Sequence, residues 1–393
     1  MLPIHTELAF VVLIFALLVA PRALQRFLIP APLTCFAFGM VAVLLLGASP
    51  ESDTLALLAT LGISSLFLFA GLEVDGKALR RGLGPLLGHL ALRTCTLSAL
   101  AWLVMQWVDL SWQAAALLAL ALLTPSTGFI LESLSRLGLN ESERFWVTTK
   151  AIGGELLALA VLFVVLQSDS VAQLAISGAA LVAMVVVLPL LFVALGRLVI
   201  PYAAGSEFSL LIMVGIVAAY VTKELGVYYL VGAFIAGVVA RMLRERMPEL
   251  ASEQNLHAVR LFASFFVPFY FFYRGMNVPG GALQWASLYI GLGLTAVFVP
   301  LRVGTIWMHR RFTVQEDTKS SVRVALALSP TLIFTLVLAT IMRERFGIPD
   351  ALFGGLLVYA ALTTLLPSFT LSKSFDLDAT DLHGPQAPQP QAK

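Results

Sequence analysis

The chain has 393 residues, of which 59% are hydrophobic and 12% charged, with mean hydropathy +0.91; a soluble domain is about a quarter charged. That excess of apolar residues excludes a soluble fold, and a formal net charge of +2 gives no basis for nucleic-acid binding. Apolar stretches recur at lengths near those needed for a helix to cross about 30 Å of hydrocarbon, and the short alternating segments of a membrane β-barrel are absent. The expected fold is therefore all-α and polytopic, with the lipid bilayer as its main partner. Cys35 and Cys95 both fall in apolar runs and read as core residues. The five histidines show no ligand spacing. No nucleophile–base set is visible, so neither an enzyme nor a cofactor is expected.

In chain order the hydropathy predicts thirteen spans. The first seven cover 7–24, 30–48, 54–72, 84–106, 111–132, 145–167 and 171–196. The remaining six cover 207–223, 227–242, 258–275, 283–304, 322–342 and 351–370. The first apolar run, Leu8 to Ala20, belongs to span 1 and lacks the flanks of a cleaved leader. A membrane domain over 1–370 is expected, followed by a short, polar, disordered tail over 371–393. Basic residues concentrate after odd-numbered spans, among them Arg22, Arg26, Lys77, Arg80, Arg81, Arg136, Arg144, Arg197, Arg241, Arg302, Arg310 and Arg311. The other side has mainly Lys223, Arg343 and Arg345. This bias predicts an N-terminus outside and a C-terminus in the cytoplasm.

Two spans are interrupted in nearly the same way. Span 5 reads LALALLTPSTGFI and span 12 reads VALALSPTLIF. Pro125 and Pro330 each lack a backbone N–H and clash with the preceding turn. The carbonyls upstream are then left free, and in lipid they must face protein, water or an ion. Thr124, Ser126 and Thr127 surround the first break; Ser329 and Thr331 surround the second. Seven spans separate the breaks, and an odd offset reverses direction. The pattern predicts two inverted six-helix repeats, about 7–167 and 207–370, joined by a connector helix at 171–196. Paired broken helices at symmetric positions point to an ion or substrate site.

Ionisable residues inside spans are the next candidates. Glu155 lies about ten residues into span 6, in TKAIGGELLALAVLFVV, near mid-membrane. A carboxyl that binds either a proton or a metal ion is the minimal machine for exchange. Gly153 and Gly154 beside it leave room for a neighbouring backbone, with span 5 the candidate. Lys150 either pairs loosely with Glu155 or snorkels to the surface. Arg93, deep in span 4, needs a partner, and both Glu73 and Glu155 are available. Arg274 is either a surface anchor or part of the core. Glu73 and Asp75 close span 3 in FLFAGLEVDGKALRR, an acid–base network or an inner gate. The small residues of GVYYLVGAFIAGVVA suit close helix packing.

FLFAGLEVD, YLVGAFIAGVV and FFVPFYFFYRGM, in that order, resemble signatures of the monovalent cation/proton antiporter superfamily, in particular its bacterial second branch. The resemblance covers nearly all of 7–370. It implies a homodimer in the bacterial inner membrane, crossing broken helices in a moving domain, and a span-6 acid for which proton and cation compete. By local match that acid is Glu155, and the hydroxyl-rich break maps onto Thr124, Ser126 and Thr127. The implied activity is antiport of Na⁺ or K⁺ against H⁺, with no resident cofactor. Gly154 stands where the family has Asp, Asn or Gln. A single acid favours an electroneutral cycle. The span-12 break, SPTLIF, lacks the family's charged residue; Arg274, Arg93 or Lys150 is the available substitute. The rival readings are a channel-like or sensory relative without exchange, and a sodium-coupled transporter of an organic solute.

Overall fold

A computed structural model describes residues 4–47, 52–108, 110–203, 205–245 and 252–371. The expected tail lies outside the described residues. Helices α1 (Ile4–Leu24), α2 (Ala31–Leu46), α3 (Asp53–Leu72) and the short α4 (Gly76–Arg81) open the chain. Then come α5 (Leu83–Trp107), α6 (Trp112–Leu123), α7 (Thr127–Ser133), α8 (Glu141–Gln167) and α9 (Val171–Leu198). They are followed by α10 (Glu207–Glu224), α11 (Tyr229–Met242), α12 (Glu253–Met276) and α13 (Trp285–His309). The last are α14 (Thr318–Ala327), α15 (Leu332–Phe346) and α16 (Asp350–Thr370). No strand occurs among the described residues.

A helix or a broken pair stands at each of the thirteen expected places. Among the described residues, nine stretches are long and apolar enough to cross a membrane, and α14 with α15, bent by 47°, makes a tenth. Helices α2 and α11 are apolar but shorter, at 16 and 14 residues. Both interruptions are real: α6 ends at Leu123 and α7 begins at Thr127, while α14 ends at Ala327 and α15 begins at Leu332.

The helices gather in two groups. Helix α3 packs against α10, α11 and α12, and α12 packs against α2. The second group holds α5 to α8 and α13 to α16, with both breaks at its centre. Helix α3 touches α7 where the groups meet. From Gly62 to Leu72, α3 is buried throughout. Helices α5, α9 and α13 expose most of their apolar surface, as lipid-facing helices do.

Local chemistry places the helix starts. Asn140 and Glu143 form a reciprocal capping box at α8. Asp75 caps α4 through the N–H groups of Lys77 and Ala78. Burial opposes the Asp75 charge, yet the N–H groups of Ala78 and Lys77, with Arg241 and Lys77 nearby, hold its carboxyl below the usual aspartate range. Glu73 meets Arg260 of α12 at 3.1 Å. Arg93 is held elsewhere, by the Leu123 carbonyl.

The small-residue motif does serve packing. A Cβ on Gly237 of α11 would strike the Leu68 carbonyl and lie 2.9 Å from the Gly71 Cα of α3. A Cβ on Gly71 would strike the Phe234 carbonyl in return. The two backbones therefore meet glycine to glycine. Gly237→Val is expected to destabilise the protein by roughly 1–3 kcal/mol, read as a lowered unfolding midpoint in detergent.

Candidate ion site

The breaks satisfy each other. The Ser126 N–H donates to the Pro330 carbonyl at 2.8 Å. In return the Ser126 hydroxyl accepts from the Ile333 N–H at 2.9 Å and lies 3.4 Å from the Phe334 N–H. One serine of the first break thereby caps the helix that restarts after the second.

Several upstream carbonyls are engaged by side chains. At the end of α6, Ala121 accepts from the Thr335 hydroxyl at 2.8 Å. Leu122 accepts from the Tyr359 hydroxyl at 2.5 Å, and Leu123 from the Arg93 guanidinium at 2.6 Å. At the end of α14, Arg302 donates to Leu328 at 2.6 Å and to Ser329 at 2.8 Å. Side chains thus take the carbonyls that the sequence left available to a bound ion, because a buried carbonyl without a partner is costly.

Arg93 and Arg302 do the same work at the two breaks. Each comes from the helix preceding a broken one, and each places a cation at the negative end of a half-helix. Arg93 therefore pairs with a backbone carbonyl rather than with Glu73 or Glu155. Arg302, which the charge pattern assigned to a cytoplasmic edge, is only 6% exposed. Arg310 is buried as well, ion-paired to Glu316. Applying the seven-span offset to Arg93 would have singled out Arg302 from sequence. Tyr359, Thr335 and Thr363 carried no such signal.

Glu155 sits mid-way along α8 and is 1% exposed. One carboxyl oxygen, Oε2, has no hydrogen-bond partner. Around it lie Ser126, Thr127 and Gly128 from the first break and Ile333 and Phe334 from the second. Leu66, Phe67 and Ala70 of α3 close the space, leaving no room for a water molecule. Thr127 donates to the Ala151 carbonyl at 3.0 Å and faces the carboxyl. The Thr124 hydroxyl is fully buried and unpartnered.

The supporting residues divide. Ser329 donates to the Thr363 carbonyl, and the Thr331 and Thr363 hydroxyls lie 3.0 Å apart, so both turn toward α16 and away from Glu155. Lys150 is fully buried with Nζ 3.0 Å from His309 Nδ1. It neither snorkels nor pairs with Glu155. Arg274 lies over the Tyr270 ring and reaches the Tyr228 hydroxyl, remote from the breaks. Gly154 accommodates the Arg93 guanidinium and Gly153 the Leu86 side chain, so helix α5, not span 5, exploits the missing Cβ atoms. Pro125 lines a cavity between α5 and α13.

Crossing broken helices beside a buried carboxyl are the arrangement in which transporters place an ion site. Residues 11–374 match the family model described as "Sodium/hydrogen exchanger, transmembrane", and the chain belongs to that family, within the monovalent cation/proton antiporter superfamily. A curated relative is the "Probable Na(+)/H(+) antiporter 3" of Methanocaldococcus jannaschii. It is 23% identical over 381 residues, covering 93% of this chain and 96% of its own. The structure of the sodium proton antiporter MjNhaP1 from Methanocaldococcus jannaschii at pH 8 is similar, with a TM-score of 0.69 and 14% identity. It covers 94% of this chain and 96% of its own. An electron-microscopy map of MjNhaP1 aligns with a TM-score of 0.65 and 15% identity, over 94% and 95% of the two chains.

Ser126→Ala is expected to cost about 1–3 kcal/mol of stability, because it orphans buried N–H groups at the start of α15. Thermal unfolding in detergent reads this directly; an unchanged midpoint would mean that another acceptor caps α15.

Proposed function

We propose that the protein exchanges a monovalent cation, Na⁺ or K⁺, for protons across a bacterial inner membrane. Glu155 is the shared site: ionised, it holds the cation; protonated, it releases it. The observation that carries this reading is the unpartnered Oε2 of a buried carboxyl where the two breaks cross. A hard monovalent cation requires oxygen ligands. Glu155 and the Thr127 oxygen face the same space, with the unpartnered Thr124 hydroxyl close by in sequence. Ser126 contributes less, since its oxygen already serves α15. The narrowness of the space favours an ion over an organic solute.

The matching duties of Arg93 and Arg302 support two inverted repeats, and with them thirteen crossings, an outside N-terminus and a cytoplasmic C-terminus. In that orientation a cavity of about 340 Å³, lined by Arg22, Cys35, Glu132 and Arg136 among others, is a cytoplasmic vestibule. Helix α7 carries Glu132 of the vestibule and, one turn earlier, Gly128 beside Glu155. Leu66 lies against Gly128 and acts as the closing side chain. Alternating access then requires α3 to move relative to α7 and α8. The functional unit is a homodimer.

With Gly154 beside it, Glu155 is the single acid of the site, so the cycle is electroneutral. Proteoliposomes loaded with a pH gradient should dissipate it on addition of Na⁺ or K⁺, and Glu155→Gln should reduce the rate to that of protein-free vesicles. Full exchange in that variant would remove Glu155 from the mechanism. Clamping the membrane potential with potassium and valinomycin should leave the wild-type rate unchanged; a rate that follows the potential would show net charge movement. Thr127→Val should raise the half-saturating cation concentration about tenfold, as loss of roughly one polar contact implies.

A further inference from the structure

A second cavity, of about 40 Å³, lies between α5 and α13 behind the two breaks. Its polar lining is His89, Arg93, Thr96, Arg302 and Thr305, and none of the described residues lining it is acidic. The threonine hydroxyls already donate to backbone carbonyls of their own helices. Two donors remain without partners: Nε of Arg93 and Nδ1 of His89, whose side chain is 5% exposed. Beyond His89 the ring of His309 follows at a centroid distance of 5.5 Å, and Lys150 beyond that. The charges do not balance. Two guanidinium groups face two half-helix C-termini, each equivalent to about half a negative charge. The N-terminal ends of α7 and α15 bring positive partial charge to the same crossing, which Glu155 offsets when ionised. About one positive charge is left over, in a medium where an unbalanced charge is costly.

We propose that this cavity binds one small monovalent anion, of the halide class, held by Arg93, Arg302 and His89. The volume suits a single ion, since a water molecule requires about 10–15 Å³ by the same kind of measure; it is too small for an organic anion. A lipid phosphate is disfavoured by depth. Arg93 lies about 15 Å along α5 from its start, inside the hydrocarbon layer rather than at the headgroups. His89 contributes as the Nδ1–H tautomer. The anion is structural: it neutralises the arginine pair that holds both half-helices in place, and it does not take part in exchange at Glu155.

The test needs no transport assay, so it is independent of the antiport reading. Purified full-length protein in detergent is compared in sodium chloride, sodium bromide and sodium gluconate at equal sodium and pH. Chloride and bromide should raise the unfolding midpoint saturably, by about 2 °C at tenfold excess over half-saturation. His89→Leu should raise the half-saturating halide concentration about tenfold. Should that variant fail to fold, bromide decides on the wild type: crystals grown in bromide should show an anomalous peak between Arg93 and Arg302. Equal midpoints in all three salts, or a cavity holding water alone, would overturn the proposal. So would a halide effect that vanishes when anionic lipid is added back, which would make a lipid phosphate the occupant.

Discussion

The bond between the Ser126 N–H and the Pro330 carbonyl, with the Ser126 hydroxyl turned to the N–H groups of Ile333 and Phe334, is the contact on which the rest of the structure depends. A proline that ends a helix inside a membrane leaves carbonyls behind it and N–H groups ahead of it, and lipid satisfies neither. Crossing the two breaks lets one supply part of what the other lacks. Arg93, Arg302, Tyr359 and Thr335 supply the remainder. With carbonyls at both breaks held by these side chains, the crossing is a frame, and Glu155 is placed against it as a buried acid with one oxygen short of a partner.

That frame assigns the basic residues to different work. Three cations within or near the spans, Arg93, Lys150 and Arg274, looked like candidates to balance Glu155, and none forms an ion pair with it. Arg93 and Arg302 serve backbone carbonyls, Lys150 serves His309, and Arg274 serves a tyrosine cluster. An acid without a fixed counter-charge is free to take a proton or a cation. The span-12 break carries no charge of its own and receives a guanidinium from the preceding helix.

Much of the fold was legible in the sequence. The two breaks and the burial of Glu155 follow from Pro125, Pro330 and the lengths of apolar runs. The packing role of Gly237 was also visible, because a run of small residues has few other uses in an apolar helix. Less legible were the fates of single charges. Arg302 and Arg310 stand at the ends of an apolar run, where an exposed arginine and a buried one look alike. Ser329 and Thr331 matched the first break in wording, yet they face α16.

The amino-acid sequence by itself determined where the chain cannot continue as a helix and where a carboxyl must sit without water, since both depend on covalent geometry and on neighbours within a turn or two. Only the tertiary structure decided which groups meet the broken ends. Tyr359 reaches Leu122 and Thr335 reaches Ala121 across more than two hundred residues of chain. Such partners are chosen by how the helices cross, and hydropathy does not encode a crossing angle.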